Sequence, residues 1–200
     1  MKFILASQNA HKLEEIGAVL SEFGVEIISA HDAGIDLDVE ETGTTFEENA
    51  RIKAEAIAKL SGMPTIADDS GLEVDALNGA PGVYSHRFGN KSSDYERCQY
   101  LLEKMLNVPP HLRTARFVSV ICCIFPDGSE ILSRGTCEGE ILTGMRGENG
   151  FGYDPLFYVP KLGTTFAQLS QAEKNAISHR GNALAKFRVQ YKEWLKDAHE

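Results

Sequence analysis

Lys2-Phe3-Ile4-Leu5-Ala6-Ser7-Gln8-Asn9-Ala10-His11-Lys12-Leu13, continued to Phe23, decides the fold class. Residues 2 to 6 read as a short buried strand, while Leu13, Ile16, Leu20 and Phe23 recur at helical spacing. Ser7-Gln8-Asn9 is the polar loop between them, so the chain opens strand, loop, helix, as an α/β protein does. Free N–H groups and the dipole at such a helix start favour an anion beside Ser7, Asn9 and Lys12. A phosphate site fits this loop, and so does an Asn/Ser turn with a solvated lysine. GxxxxGK[ST] is absent, so the loop is no P-loop.

Outward from this unit, Thr44 and Thr45 each precede a glutamate by three residues, and Gly62 and Pro64 follow, which predicts a helix over roughly 45–61. Phe46, Ala50, Lys53, Ile57 and Leu60 form its apolar stripe, with Asn49 flanking the same face. Lys53 therefore either points inward, where it requires an anionic partner, or snorkels to solvent. Thr65-Ile66-Ala67 reads as a short strand running into Asp68-Asp69-Ser70-Gly71 and a turn-rich region to Arg87. Residues 95–106 look helical, and Arg116–Phe125, apolar on both faces, fits an interior strand. Pro126-Asp127-Gly128 is a turn signal, 130–142 a returning strand, and Gly144, Gly147, Gly150 and Gly152 punctuate a loop. Ser170-x-x-Glu173 caps a C-terminal helical region that Gly181 is expected to divide. No repeat or long linker interrupts the sequence, which reads as a single domain over 1–200.

Composition excludes several classes. Twenty Lys+Arg against 29 Asp+Glu give 200 residues a net charge of -9, so no global positive field draws in nucleic acid. A polyanionic small molecule is still accessible if a few cations converge and a divalent metal screens the carboxylates. Cys98, Cys122, Cys123 and Cys137 have no CxxC spacing and read as reduced packing residues. The N-terminal apolar run is too short for a signal-peptide core, and Phe117–Phe125 is too short for a membrane span, so a cytoplasmic protein without membrane partners is expected. His11, His31, His86, His111 and His199 show no paired metal-ligand spacing.

Chemistry-bearing residues gather in four more places. Glu40-Glu41 and Asp68-Asp69 sit at element edges from which carboxylates reach a hard cation. Adjacent side chains in extended chain point oppositely, so one member of each pair is expected to face a common site. The spacing does not say which, and a solvated acidic turn is the alternative. Gly147-Glu148-Asn149-Gly150-Phe151-Gly152-Tyr153-Asp154 alternates rings with glycines, which suits either a stacked planar base or a packed turn. Lys174, His179 and Arg180 offer cationic donors, or a charged helix surface.

Together these segments resemble the inosine-triphosphate pyrophosphatase family over nearly the whole chain. The resemblance rests on five ordered motifs: Ala6–Lys12, Glu41-Thr42-Gly43 leading to Phe46–Ala50, Ala67–Leu72, Phe151–Pro155 and Glu173–Gly181. It implies Mg2+-dependent hydrolysis of ITP, dITP and XTP between the α- and β-phosphates, giving a monophosphate and pyrophosphate. Asp69 would be the proton acceptor and, with Glu40, a metal ligand. Ser7, Gln8, Asn9, Ala10, His11 and Lys12 would form the phosphate loop, with Lys53 and Ser70 as further substrate contacts. Phe151, Gly152, Tyr153 and Asp154 would bind the base, Phe151 and Tyr153 as stacking rings, together with Lys174, His179 and Arg180. A donor facing the 6-keto oxygen would mispair with adenine's amino group and so reject ATP. The implied fold is a long mixed β-sheet flanked by helices, two lobes around a central cleft, in a homodimer. His86 matches no role. A pyrophosphatase for other modified nucleotides, and a nucleotide sensor without turnover, are the competing readings.

Overall fold

A computed structural model describes residues 1–197; His199 lies outside the described residues. Strand β1 (Lys2–Leu5) leads into helix α1 (Ala10–Ser21), then β2 (Glu26–Ser29), α2 (Phe46–Ser61) and β3 (Thr65–Val74). Helix α3 (Asp94–Lys104) follows, then β4 (Thr114–Ile124), β5 (Glu130–Ile141), β6 (Phe157–Val159), β7 (Thr164–Thr165), α4 (Gln171–Ile177) and α5 (His179–Asp197). The strands form one sheet in the order β2-β1-β3-β4-β5-β6-β7. It is mixed, since β1 runs parallel to β2 and β3 while β6 is antiparallel to β5 and β7. The α/β reading with a mixed sheet and flanking helices holds.

The helix ends follow from their sequences. Of the two overlapping caps before α2, Thr45 closes the reciprocal box with Glu48, and Gly62 ends the helix in the left-handed region at φ 64°. Phe46, Ala50 and Ile57 are buried as expected, but Leu60 is 62% exposed because the last turn of the helix leaves the core. The strand expected at Thr65–Ala67 is ten residues long and carries Asp68, Asp69, Ser70 and Gly71 within it. Lys12 and Ser119 meet the Asp68 carboxylate and Lys53 meets one oxygen of Asp69, so polarity does not end the strand. In the C-terminal region the break falls at Ser178, whose ψ of 158° is extended, rather than at Gly181, which lies inside α5. Gly181 is required for another reason: a Cβ there would lie 2.1 Å from the carbonyl oxygen of Asn175.

The chain divides into two compact units, one of Met1–Asp69, Ser119–Gly135 and the chain from Ala183 onward, the other of Ser70–Val118 and Thr136–Asn182. Each has its own apolar core. Phe3, Leu5, Ile16, Leu20, Ile66, Ile121, Phe187 and Tyr191 fill the first, and Leu72, Leu101, Phe117, Tyr153, Phe157 and Phe166 the second. All four cysteines are buried free thiols, in keeping with a packing role. Among the described residues, no helix is long and apolar enough to cross a membrane.

Candidate active site

In the first unit, the loop after β1 is organised by its own side chains. The Asn9 amide N–H donates to Ser7 Oγ at 3.1 Å, and Asn9 Oδ1 accepts from the Lys12 N–H at 3.3 Å, which caps α1. Ser7, Gln8, Asn9 and Ala10 line a cavity of about 410 Å³ with Leu13, Ser29, His31 and Asp32. A second cavity of about 440 Å³ takes in Ala6, Ser7, Gln8, Glu41 and Lys53. The side chain of His11 lies outside the described residues.

Two lysines converge on β3 from different helices. Lys12 Nζ lies 2.6 Å from Asp68 Oδ2 and 3.2 Å from the Asp68 carbonyl oxygen. Lys53 Nζ reaches the same carbonyl at 3.1 Å, Asp69 Oδ1 at 3.0 Å and Glu41 Oε1 at 2.6 Å. Lys53 thus points inward and has the anionic partner that position requires. Asp68 is fully buried on its own side of the strand, where Ser119 Oγ donates to Oδ1 at 2.5 Å. The ambiguity in the acidic pairs resolves as alternation: Asp69 and Glu41 share Lys53, while Asp68 faces Lys12 and Ser119. Glu40 is exposed on the segment before α2.

Asp69 Oδ2 is buried and has no hydrogen-bond partner. Burial raises the Asp69 carboxyl above the ordinary aspartate value, with Lys53 opposing and the neighbouring Glu41 and Asp68 charges adding to the rise. For Lys53 burial acts the other way, yet Asp69 and Glu41 outweigh it and hold the ammonium above the usual lysine value. The arrangement is a fixed cation gripping one oxygen of a carboxylate whose other oxygen is unpaired.

The second unit carries the aromatic loop. Gly147, Gly150 and Gly152 all have positive φ, and Gly150 packs so tightly that a Cβ would lie 2.0 Å from Asp154 Oδ2. Asp154 Oδ2 accepts from the Phe151 N–H at 2.9 Å and from Lys174 Nζ at 2.5 Å. Burial pushes the Asp154 carboxyl up, with the Lys174 charge opposing it. Lys174 Nζ also sits 4.4 Å from the centroid of the Phe151 ring. Phe151 is 44% exposed, but Tyr153, expected as a second stacking ring, is 3% exposed and belongs to the core. Its hydroxyl donates to the Ser85 carbonyl at 2.7 Å. The buried His179 ring stacks on Phe117 at 4.9 Å, and the buried Arg180 donates to Ser70 Oγ at 3.4 Å.

A model of the Ham1 family matches residues 3–190. The chain belongs to the Ham1 family. This bears out the resemblance carried by the five motifs. Among Ham1 relatives, the dITP/XTP pyrophosphatase of Clostridium perfringens is 50% identical over 98% of this chain and 99% of its own length. One from Thermus thermophilus is 48% identical over 96% and 93%. The structure of the Staphylococcus aureus Ham1 protein is 45% identical and superposes with a TM-score of 0.90 over 96% of this chain and 99% of that one. A Coxiella burnetii HAM1 protein gives 44% identity and 0.91 over the same shares.

Ser119 and Phe117, the seats of Asp68 and His179, and Asp94, which meets the aromatic loop from α3, lie outside the five motifs of this Ham1 chain. Ser119 was legible only as an interruption in an apolar strand. A hydroxyl inside such an apolar run signals a buried polar partner.

Proposed function

We propose that this protein hydrolyses non-standard purine nucleoside triphosphates, ITP, dITP and XTP, to the monophosphate and pyrophosphate. The observation that carries the reading is the Lys53–Asp69 grip, in which a cation, a carboxylate and an unpaired buried oxygen are set for phosphoanhydride chemistry. The relatives named dITP/XTP pyrophosphatase supply the substrate class.

In this reading Lys12, Lys53 and the Ser7–Lys12 loop hold the triphosphate, and Asp69 accepts the proton of the attacking water. Asp69 and the exposed Glu40 are the carboxylates assigned to Mg2+. The orphaned Asp69 Oδ2 fits a hard cation, which prefers oxygen donors. Bound there, the ion would neutralise charge on the phosphates. Phe151 offers the exposed ring for the base, with Gly152 and Asp154 shaping the loop around it. Lys174, beside that ring, is the donor matched to a 6-keto oxygen, with His179, Arg180 and Ser70 completing that side. Buried free thiols suit a reducing cytoplasm. On the family resemblance we also assign a homodimer, for which light scattering should give a mass of two chains.

The test is pyrophosphate release from ITP, dITP, XTP, ATP and GTP, each with Mg2+ and with chelator. Selective, metal-dependent release from the first three, lost in Asp69→Asn, is expected. Orthophosphate as product, or tight binding without turnover in Mg2+, would replace this reading with another phosphohydrolase or a sensor.

A further inference from the structure

Helix α3 starts at Asp94 because Ser93 and Glu96 form a capping box, and this fixes the first turn against the aromatic loop. Asp94 Oδ2 accepts the Gly152 N–H at 2.7 Å. One turn on, on the same helix face, the Cys98 thiol donates to the Gly152 carbonyl at 3.4 Å. Both backbone groups of one loop residue are therefore held by a single i, i+4 pair. The other carboxylate oxygen of Asp94 is gripped by Arg97, which is buried and also donates to the Lys91 carbonyl at 3.1 Å. Gly152, at φ 61°, turns the loop between the exposed Phe151 and the core-anchored Tyr153.

We infer that Asp94 is a positioning residue for base recognition, acting with Cys98 to fix Gly152 so that Phe151 presents its ring in one orientation. The inference rests on the base-loop reading proposed above, and nothing in the motifs assigns a role to either α3 residue. A loop immobilised before binding loses less conformational freedom when a base stacks on it, so the clamp strengthens base binding without touching the phosphates. The Asp94 bond carries more of this than the thiol, because a charged acceptor makes the stronger hydrogen bond.

The experiment compares wild type, Asp94→Ala, Asp94→Asn and Cys98→Ala by amide exchange at Gly152 and by pyrophosphate-release kinetics. In Asp94→Ala the Gly152 amide should exchange at least about tenfold faster, with the middle of α3 unchanged. KM for dITP and XTP should rise about tenfold while kcat falls no more than about twofold, and the preference for dITP over dATP should shrink. Cys98→Ala should give the same signature at smaller size. Asp94→Asn keeps an acceptor for Gly152 and should recover most of the exchange protection and most of the selectivity. Unchanged Gly152 exchange in Asp94→Ala, or equal losses for dITP and dATP, would overturn the inference. Failure of the wild type to release pyrophosphate from dITP or XTP would instead remove the base-loop reading, and the exchange result alone would then decide whether the clamp exists.

Discussion

Lys53 binds one oxygen of Asp69 at 3.0 Å and leaves the other buried without a hydrogen-bond partner. The lysine that would hold a triphosphate thus also sets the orientation of the carboxylate that would accept a proton. Replacing it removes the counter-charge 3.0 Å from Asp69 Oδ1 and strips Glu41 of its 2.6 Å partner. Lys53→Met should lower pyrophosphate release at least about 100-fold and lower stability in urea by about 3 kcal/mol. Full stability with lost activity would mean that the cation acts on substrate alone.

Lys174 and Asp154 form the corresponding pair in the second unit, with side chains 6% and 2% exposed. Lys174→Met leaves a carboxylate buried without its cation, so unfolding free energy should fall by about 3 kcal/mol along with the preference for ITP over ATP. Lys174→Met combined with Asp154→Asn should regain most of the stability, because Asn keeps an acceptor for Phe151, and none of the preference. Equal losses of ITP and ATP hydrolysis in the single variant would refute a base-reading lysine.

Two glycines in the aromatic loop separate crowding from backbone strain. Gly152→Ala meets open space and should cost only its left-handed conformation, about 1 kcal/mol. Gly150→Ala carries that cost too, and also drives a methyl onto Asp154 Oδ2, so it should cost at least about 2 kcal/mol and raise KM for XTP. The opposite order in thermal unfolding would show that Asp154 moves freely.

Burial pushes the Cys98 and Cys122 thiols up to about 12 and Cys137 to about 11, against 9.0 for the ordinary thiol. None should react with an aromatic disulfide at about pH 8 until the protein unfolds. Above 9.0 the unfolded chain sheds thiol protons that the folded chain keeps. Stability from these groups is therefore intact below 9.0 and falls as pH rises through 11 and 12. Urea titrations across that range should show the decline, and Cys122→Ala should flatten it.

The legible part of the site was whatever depended on local order. Thr45 boxed with Glu48 and Lys53 on the apolar stripe of α2 both follow from residues within a turn or two of one another, and only the fold turns that lysine inward. Long-range partners were not legible. Ser119 lies 51 residues from Asp68, and Asp94 lies 58 from Gly152. Tyr153 shows the limit most clearly: glycine-flanked rings look alike in sequence, but packing leaves Phe151 exposed and makes Tyr153 a core anchor tied to Ser85.

By itself the sequence determined the main helices and the longer strands, the capping boxes at Thr45 and Ser170, the α/β class and, through five ordered motifs, the family, but not the short strands Glu26–Ser29, Phe157–Val159 and Thr164–Thr165. Those properties live in periodicity, capping chemistry and residue identity, which act along the chain. Tertiary structure alone decided which carboxylate of each acidic pair meets which lysine, since alternation on a strand names two faces but not what covers them. It also decided that Asp68 and Asp69 lie within a ten-residue strand, because only partners as distant as Lys12, Lys53 and Ser119 make buried charge tolerable there.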